Sequence, residues 1–328
     1  MQQLFHITPF SSAILDTTWT GSPDMSSDSA LLFSLQSFFK GIARSASTPF
    51  DPSDWICQYT KPTGEHLCLG VQEDAHEYLN GFLDRVETVL KHTDHATLIH
   101  DEFVSTVNVS VICPNCGIVS TRQEEYNCLS VDVKGFSSLS DSLKAQCGSE
   151  TIDDYFCEKC GTRGCVQKAQ SFEATAPFLF FQLKRFEFDN FSFERHKIND
   201  FFTFPLELDL SLCFSDIRGK EPRYRLRGII THSGSTEGGH YVSYVCGDGD
   251  EWWELNDSRV ARVDGKDLLI RARGRGSVSV QWSLIINRMT ARTSCCTRGT
   301  PSKPCPVSPN PLRRRFPSCW GTPNSGTC

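Results

Sequence analysis

Apolar side chains recur at helical spacing in two stretches of the N-terminal third. Residues 28–42 (DSALLFSLQSFFKGI) set Leu31, Leu35, Phe38, Phe39 and Ile42 on one face, which predicts an amphipathic helix with Asp28 or Ser29 as its cap. A longer helix is predicted over about 72–91, where Ala75, Tyr78, Leu79, Phe82, Leu83, Val86, Val89 and Leu90 follow three- and four-residue steps. Its acidic start, Glu73 and Asp74, and its basic end, Lys91, suit the helix dipole. Beyond residue 100 the period shortens. Runs rich in Val, Phe and Tyr at 103–112, 128–133, 178–183, 224–231, 240–246, 251–255 and 278–286 alternate with glycine and polar turns and read as strands. Helices first and strands afterwards predict an α+β domain rather than a doubly wound sheet, and no internal repeat is visible.

The pattern stops near Met289. Residues 289–328 carry seven prolines, five of the sixteen cysteines and six Lys/Arg, with no Asp or Glu, so a disordered Pro/Cys-rich basic tail is expected there. Residues 1–288 are then expected to hold the folded domain, in a chain of 328 residues with ample apolar content for a core. Removing the tail's six positive charges from the formal −6 of the whole chain leaves −12 on the folded part. That balance argues against a nucleic-acid binder, whose footprint is a basic excess, and favours a cationic partner surface. No run approaches the roughly 20 apolar residues of a membrane span. Residues 1–10 (MQQLFHITPF) lack the basic start, apolar block and small-residue site of a secretory leader. The expected setting is intracellular, cytoplasmic or nuclear; Arg313–Arg315 is too short a basic run to decide between the two. In a reducing compartment, paired cysteines hold metal more often than they form disulfides.

Two such pairs stand in the strand-rich part. Cys113-Pro-Asn-Cys116-Gly and Cys157-Glu-Lys-Cys160-Gly each separate two thiols by two residues and follow them with glycine. Knuckles of this kind turn both sulfurs to one point, and two together complete a tetrahedral four-cysteine zinc site. Four thiolates leave no open coordination position, so such a zinc would be structural. The alternative is two separate pairs of buried or redox-active thiols, and Cys165 lies close enough in sequence to replace a ligand.

A second constellation follows. Residues 224–245 read as a strand, a glycine-rich turn and a second strand, with Gly238 and Gly239 directly before His240. Glycines there let a substrate backbone pass close to the imidazole. Asn256 and Asp257 come sixteen and seventeen residues after His240, a distance that a hairpin return closes. A histidine held by an amide or carboxylate is the base-and-orienter half of a nucleophilic triad, although a histidine at a strand start also serves as an ordinary structural residue.

Taken together, the boxes QEDAHEYLNGFLDRVE (72–87), the two Cys-x-x-Cys pairs, FLFFQLKRFEFD (178–189), FPLELDL (204–210), YRLRGIITHSG (224–234) with GGHYVSYV (238–245), and WWELNDSRV (252–260) resemble the ubiquitin-specific protease family. They occur in family order over roughly residues 2–286. The resemblance implies a papain-like fold of thumb helices, β-rich palm and zinc-bearing fingers, the fingers spanning about residues 103–182. It implies thiol-dependent hydrolysis of the isopeptide or peptide bond after ubiquitin's C-terminal glycine, with ubiquitin and ubiquitinated proteins as partners. On that reading His240 is the general base, Asn256 orients it and Asp257 assists. Gln72, Asp74 and Tyr241 contact the ubiquitin tail, and Gly238 and Gly239 line the channel for its diglycine.

One element of the family pattern is missing. The nucleophile of the family sits in a box like Gly-x-Thr-Cys-Tyr-x-Asn-Ser, followed by a helix continuing Leu-Gln-Gln-Leu-Phe. Met1-Gln2-Gln3-Leu4-Phe5 resembles that continuation, so the cysteine and the oxyanion-hole asparagine are expected upstream of Met1. None of the sixteen cysteines has the required surroundings, Cys57 and Cys68 included. The resemblance therefore implies an N-terminally truncated protease domain, with a non-catalytic ubiquitin-binding pseudo-enzyme scaffold as the alternative. Truncation is also expected to expose Leu4, Phe5 and Phe10.

Overall fold

The computed structural model describes residues 1–20, 26–45, 50–68, 71–189, 193–217, 222–235, 238–272 and 283–289. Among the described residues, six helices precede the first strand: α1 (Gln2–Phe5), α2 (Thr8–Asp16), α3 (Ser26–Arg44), α4 (Ser53–Gln58), α5 (Ala75–Leu90) and α6 (Leu98–Phe103). Strands β1 (Ser105–Ile112), β2 (Val119–Tyr126) and β3 (Leu129–Asp132) lead to helix α7 (Leu139–Gln146). The chain continues through β4 (Ser149–Cys157), β5 (Thr162–Ala174), β6 (Phe178–Lys184), β7 (Phe186–Asp189), β8 (Glu194–Lys197) and β9 (Glu207–Asp209). It closes with β10 (Arg223–Gly234), β11 (Gly239–Cys246), β12 (Trp252–Asn256), β13 (Arg259–Val263), α8 (Gly265–Ala272) and β14 (Ser283–Arg288).

The two long helices form where the apolar periodicity puts them. Asp74 caps α5, its Oδ1 accepting from the backbone N–H of His76 at 2.8 Å and Glu77 at 3.0 Å, which satisfies two of the first-turn donors. Asp28 is not a cap: α3 begins at Ser26, and the Asp28 carboxylate pairs with Arg85 of α5 at 2.6 Å, tying the two helices together. The helical layer is filled by aromatic rings. Phe10 lies edge-on to Phe39, Phe82 and Phe103, with centroids 6.0, 6.3 and 5.6 Å away. Leu4, Phe5 and Phe10, expected to be exposed, are 3%, 2% and 0% accessible: α1 and α2 fold onto α3 and α5 and bury them.

The described strands make three sheets. The largest runs in the order β13-β12-β11-β10-β14-β6-β3, with β9 added on β10; only β3–β6 is parallel. Its strand β6 is apolar on both faces because it separates two cores. Leu179, Phe181 and Leu183 face one that includes Val131, Phe202, Tyr224 and Ile229, while Phe180 packs into the helical layer. The second sheet, β2-β1-β5-β4, is wholly antiparallel, and β7–β8 form a separate ribbon.

The final strand is Ser283–Arg288; residues 278–282 of its predicted span lie outside the described residues, as does the expected tail from 290 onward. Met289 still belongs to the sheet, since its N–H donates to Arg223 O at 2.8 Å. No described helix is long and apolar enough to cross a membrane.

Candidate active site

The hairpin β10–β11 carries the imidazole. Ser233 pairs with His240 and Gly234 with Gly239, while β12 lies antiparallel on the other side of β11 with Ser243 opposite Leu255. This register brings the end of β12 back to the start of β11. His240 Nε2 and Asn256 Oδ1 are 2.7 Å apart. An amide oxygen only accepts, so Nε2 is the donor in this contact, and in the neutral ring Nδ1 is the nitrogen that keeps a lone pair. Asp257 stands farther off: its Oδ2 is 3.9 Å from the same nitrogen, outside hydrogen-bond distance, and its side chain is 79% exposed. Its backbone is left-handed, with φ 50°, as β12 turns into β13. Asn256 is therefore the direct partner and Asp257 a solvent-screened neighbour.

The start of α5 closes against this hairpin. Gln72 Oε1 accepts from the Gly239 N–H at 2.6 Å, and the Tyr241 hydroxyl accepts from the Ala75 N–H at 3.4 Å. Burial, with the nearby Asp74 carboxylate, pushes the Tyr241 phenol up to about 12, so it remains protonated. Gln72, Asp74, Gly238, Gly239, Tyr241, His240 and Asn256 are thus gathered around one seam between α5 and the hairpin.

The two glycines differ. A Cβ on Gly238 would meet no atom closer than 4.0 Å, so its surface is open to a passing chain. A Cβ on Gly239 would lie 2.1 Å from Ser233 O and 2.5 Å from His232 Nε2. Glycine at 239 is required by the hairpin's own packing, and its N–H is already occupied by Gln72. Bare backbone at 239 thus serves the fold itself, whereas at 238 it leaves open space beside the hairpin.

Away from this seam, the ends of β1 and β4 bring the cysteine pairs together. The ligand sulfurs of Cys113, Cys116, Cys157 and Cys160 all lie within 4.8 Å of one another and could hold a metal ion. Thr162 and Asn115 approach the Cys160 sulfur at 2.9 and 3.5 Å, and these donors pull its thiol down to about 6. Cys165 is not part of the cluster; its thiol donates to Asp153 Oδ1 at 3.0 Å.

Comparison with known proteins settles the kinship. A family model described as ubiquitin carboxyl-terminal hydrolase matches residues 1–287. The chain belongs to the ubiquitin carboxyl-terminal hydrolase family. Its relatives include ubiquitin carboxyl-terminal hydrolase 26 of Oryza sativa subsp. japonica, 32% identical over 59% of this chain and 19% of that protein. Ubiquitin carboxyl-terminal hydrolase 5 of Schizosaccharomyces pombe is 32% identical over 65% of this chain and 20% of its own length. Ubiquitin carboxyl-terminal hydrolase 9X of Mus musculus is 28% identical over 71% of this chain and 10% of its length. The chain thus spans a fifth or less of each of these relatives, and it is a deubiquitinase-family domain.

In this domain four further side chains shape the site that sequence reasoning passed over. Gln3 of α1 is 6% exposed, and its Nε2 donates to Ile229 O at 3.2 Å and Tyr244 O at 2.7 Å. A Cβ on Gly228 would come within 2.2 Å of Gln3 Oε1, so the bare backbone of β10 makes room for this clamp. Gln2 reaches Asp257 O at 3.5 Å, which puts the start of α1 beside the His240–Asn256 pair. Lys197 of β8 donates to Gly234 O at 3.0 Å and stands 3.3 Å from His232 Nδ1. His232 is buried, its ring 4.6 Å from that of Tyr241, and burial followed by the Lys197 charge holds it below the usual histidine range. The only sequence signal for these four was a polar residue inside an otherwise apolar or strand-forming run.

Proposed function

We propose that residues 1–288 are the protease domain of a cysteine-type deubiquitinase that cleaves the isopeptide or peptide bond after ubiquitin's C-terminal glycine. The 2.7 Å contact between His240 and Asn256 carries the reading. With Nε2–H held by the amide, Nδ1 is the free base that takes a proton from a thiol and later delivers it to the leaving amine. Attack of the thiolate on the scissile carbonyl forms the carbon–sulfur bond; collapse expels the protonated amine and leaves a thioester, which water then hydrolyses. The thiol would come from the segment that leads into α1. Its start at Gln2 touches Asp257, so a residue shortly before Met1 would face the imidazole. Residues 1–328 alone would then act as the ubiquitin-binding part of the site.

Gln72, Asp74 and Tyr241 at the start of α5, with Gly238 opposite, would form the walls that receive the basic ubiquitin tail. Asp74 serves as helix cap and as a negative charge toward that tail at once. On the family scheme α1–α6 are the thumb, the large sheet is the palm and β2-β1-β5-β4 are the fingers. The cysteine cluster fits zinc. Four thiolates about 2.3 Å from a zinc ion stand about 3.8 Å apart, and the Cys113–Cys160 and Cys116–Cys157 sulfurs are 3.9 and 3.8 Å apart. Bound zinc would cross-link the ends of β1 and β4 and take no part in hydrolysis.

Turnover of a fluorogenic ubiquitin C-terminal amide tests the reading. Residues 1–328 are expected to give none, and the chain extended upstream of Met1 through the cysteine box is expected to turn over and to lose that activity by a factor of roughly 10³ or more on His240→Ala. Turnover of the extended chain that survives His240→Ala would overturn it.

A further inference from the structure

The ribbon β7–β8 reaches the seam through Lys197. In the ribbon's register this residue of β8 stands opposite Phe186 of β7, its ammonium 5.8 Å from the centre of that ring. Its place is fixed from below by the buried Arg185, whose Nη1 donates to Ile198 O at 3.0 Å and to Asp200 O at 2.9 Å, while Ile198 N donates to Arg185 O at 2.7 Å. From there the ammonium crosses to the hairpin. It donates to the carbonyl of Gly234, the last residue of β10, at 3.0 Å and lies 3.3 Å from His232 Nδ1. An ammonium only donates, so Nδ1 is the acceptor, and the neutral His232 ring carries its proton on Nε2.

We propose that Lys197 is a positioning residue of the site: with His232 it latches the β7–β8 ribbon to the β10–β11 hairpin and so sets where Gly239, His240 and Tyr241 stand against α5. His232 is the middle of the latch. Its Nε2 edge lies close against Gly239, where an added Cβ would come within 2.5 Å, and its ring centre is 4.6 Å from that of Tyr241. Both of these β11 residues bond the start of α5, Gly239 through its N–H to Gln72 Oε1 and Tyr241 through its hydroxyl to the Ala75 N–H. His240 lies between them. A shift of the His232 ring therefore moves the backbone that carries His240. That this seam receives the ubiquitin tail rests on the deubiquitinase reading; the contacts of the latch do not.

The latch has two states, because Nδ1 accepts only while the ring is neutral. A proton there takes the lone pair that Lys197 uses and sets two cations face to face. Burial first, then the Lys197 charge, hold His232 below the ordinary histidine range; His240 of β11 acts in the same direction, and the Asp74 carboxylate of α5 opposes them. Tyr241 stays protonated, and Phe186 of β7 adds only an uncharged ring 6.5 Å away. Lys197 is in turn held below the ordinary lysine range by burial and by the Arg185 charge. The latch is thus closed at neutral pH and opens as pH falls below the ordinary histidine value of about 6.5.

Nuclear magnetic resonance of the free 328-residue chain tests the latch. At neutral pH, long-range proton–nitrogen correlation should show His232 protonated at Nε2 and unprotonated at Nδ1; a proton on Nδ1 would overturn the proposal without need of any variant. In Lys197→Met the His232 titration midpoint should move up, because the cation opposing its charge is gone, and the Gly239 and Ala75 amides should exchange roughly tenfold faster. Lys197→Arg, which keeps the charge and the donors, should stay close to wild type in both. An unmoved midpoint in Lys197→Met, or unmoved exchange at Gly239 and Ala75, would overturn the proposal. Calorimetric titration with ubiquitin separates the latch from the reading of the seam: Lys197→Met should bind several-fold more weakly than wild type, and equal affinity would overturn the positioning role. A wild-type chain that binds no ubiquitin would instead contradict the deubiquitinase reading, with the latch still decided by the spectra of the free chain.

Discussion

Gln3 does more for the site than its place in a four-residue helix suggests. Its amide donates to two carbonyls of adjacent strands, β10 and β11, and the glycine at 228 is what allows it to lie so close. Gln3→Ala removes the donor and leaves the pocket polar and buried, at an expected cost of about 1–3 kcal/mol in urea unfolding. Hydrogen exchange should quicken first in α1. Gly228→Ala should produce the same exchange signature, since its methyl displaces the Gln3 carboxamide. His232 and His76 supply a second prediction. Burial lowers both, so the unfolded chain binds their protons more readily than the folded one. Stability from this source is complete above the ordinary histidine value of about 6.5 and falls as pH drops below it, by at most about 1.4 kcal/mol per pH unit for each residue. Urea titrations between pH 7 and 5 should show the decline, and His232→Asn should make it shallower.

Among the elements, α3, α5 and the large-sheet strands β3, β6, β10, β11, β12 and β14 were legible because one face or both faces are buried. Phe82 of α5 shows the energetic side: it is fully buried and packs on Tyr59, Tyr78, Trp55 and Phe10, so Phe82→Ala should cost about 3–5 kcal/mol. Thermal or urea unfolding with retained far-UV helicity at low temperature measures it. β2, β4, β5, β7, β8, β9 and β13 were not legible. β2 is VSTRQEEY, nearly all exposed, and its strand state comes from the ladder with β1 rather than from any alternation of its own. α7 was missed because eight residues give little period; its signal is the cap Ser138, whose hydroxyl accepts from Asp141 N at 3.1 Å. In the site, His240 and Asn256 were legible because one hairpin return separates them. Gln3, Lys197 and His232 were not, because each acts across long sequence gaps that only the folded sheet closes.

At the scale of the whole molecule, the helical layer and the large sheet meet along the seam that holds His240, while the second sheet ends in the cysteine cluster. That sheet has a small apolar cluster at its tip, Cys113, Cys157 and Val166, so little but a metal would hold its far end. Incubation with a strong chelator, or Cys116→Ser, should therefore lower Tm by several degrees and speed exchange in β1, β4 and β5 while sparing α3 and α5. The central claim is that the seam between α5 and the Gly239–Cys246 strand receives the end of ubiquitin. Calorimetric titration of the 328-residue chain with ubiquitin, and with ubiquitin lacking its final two glycines, tests it most directly. Binding to intact ubiquitin that drops at least tenfold for the shortened form is the predicted result; equal affinity for the two, or no binding to either, would contradict the account.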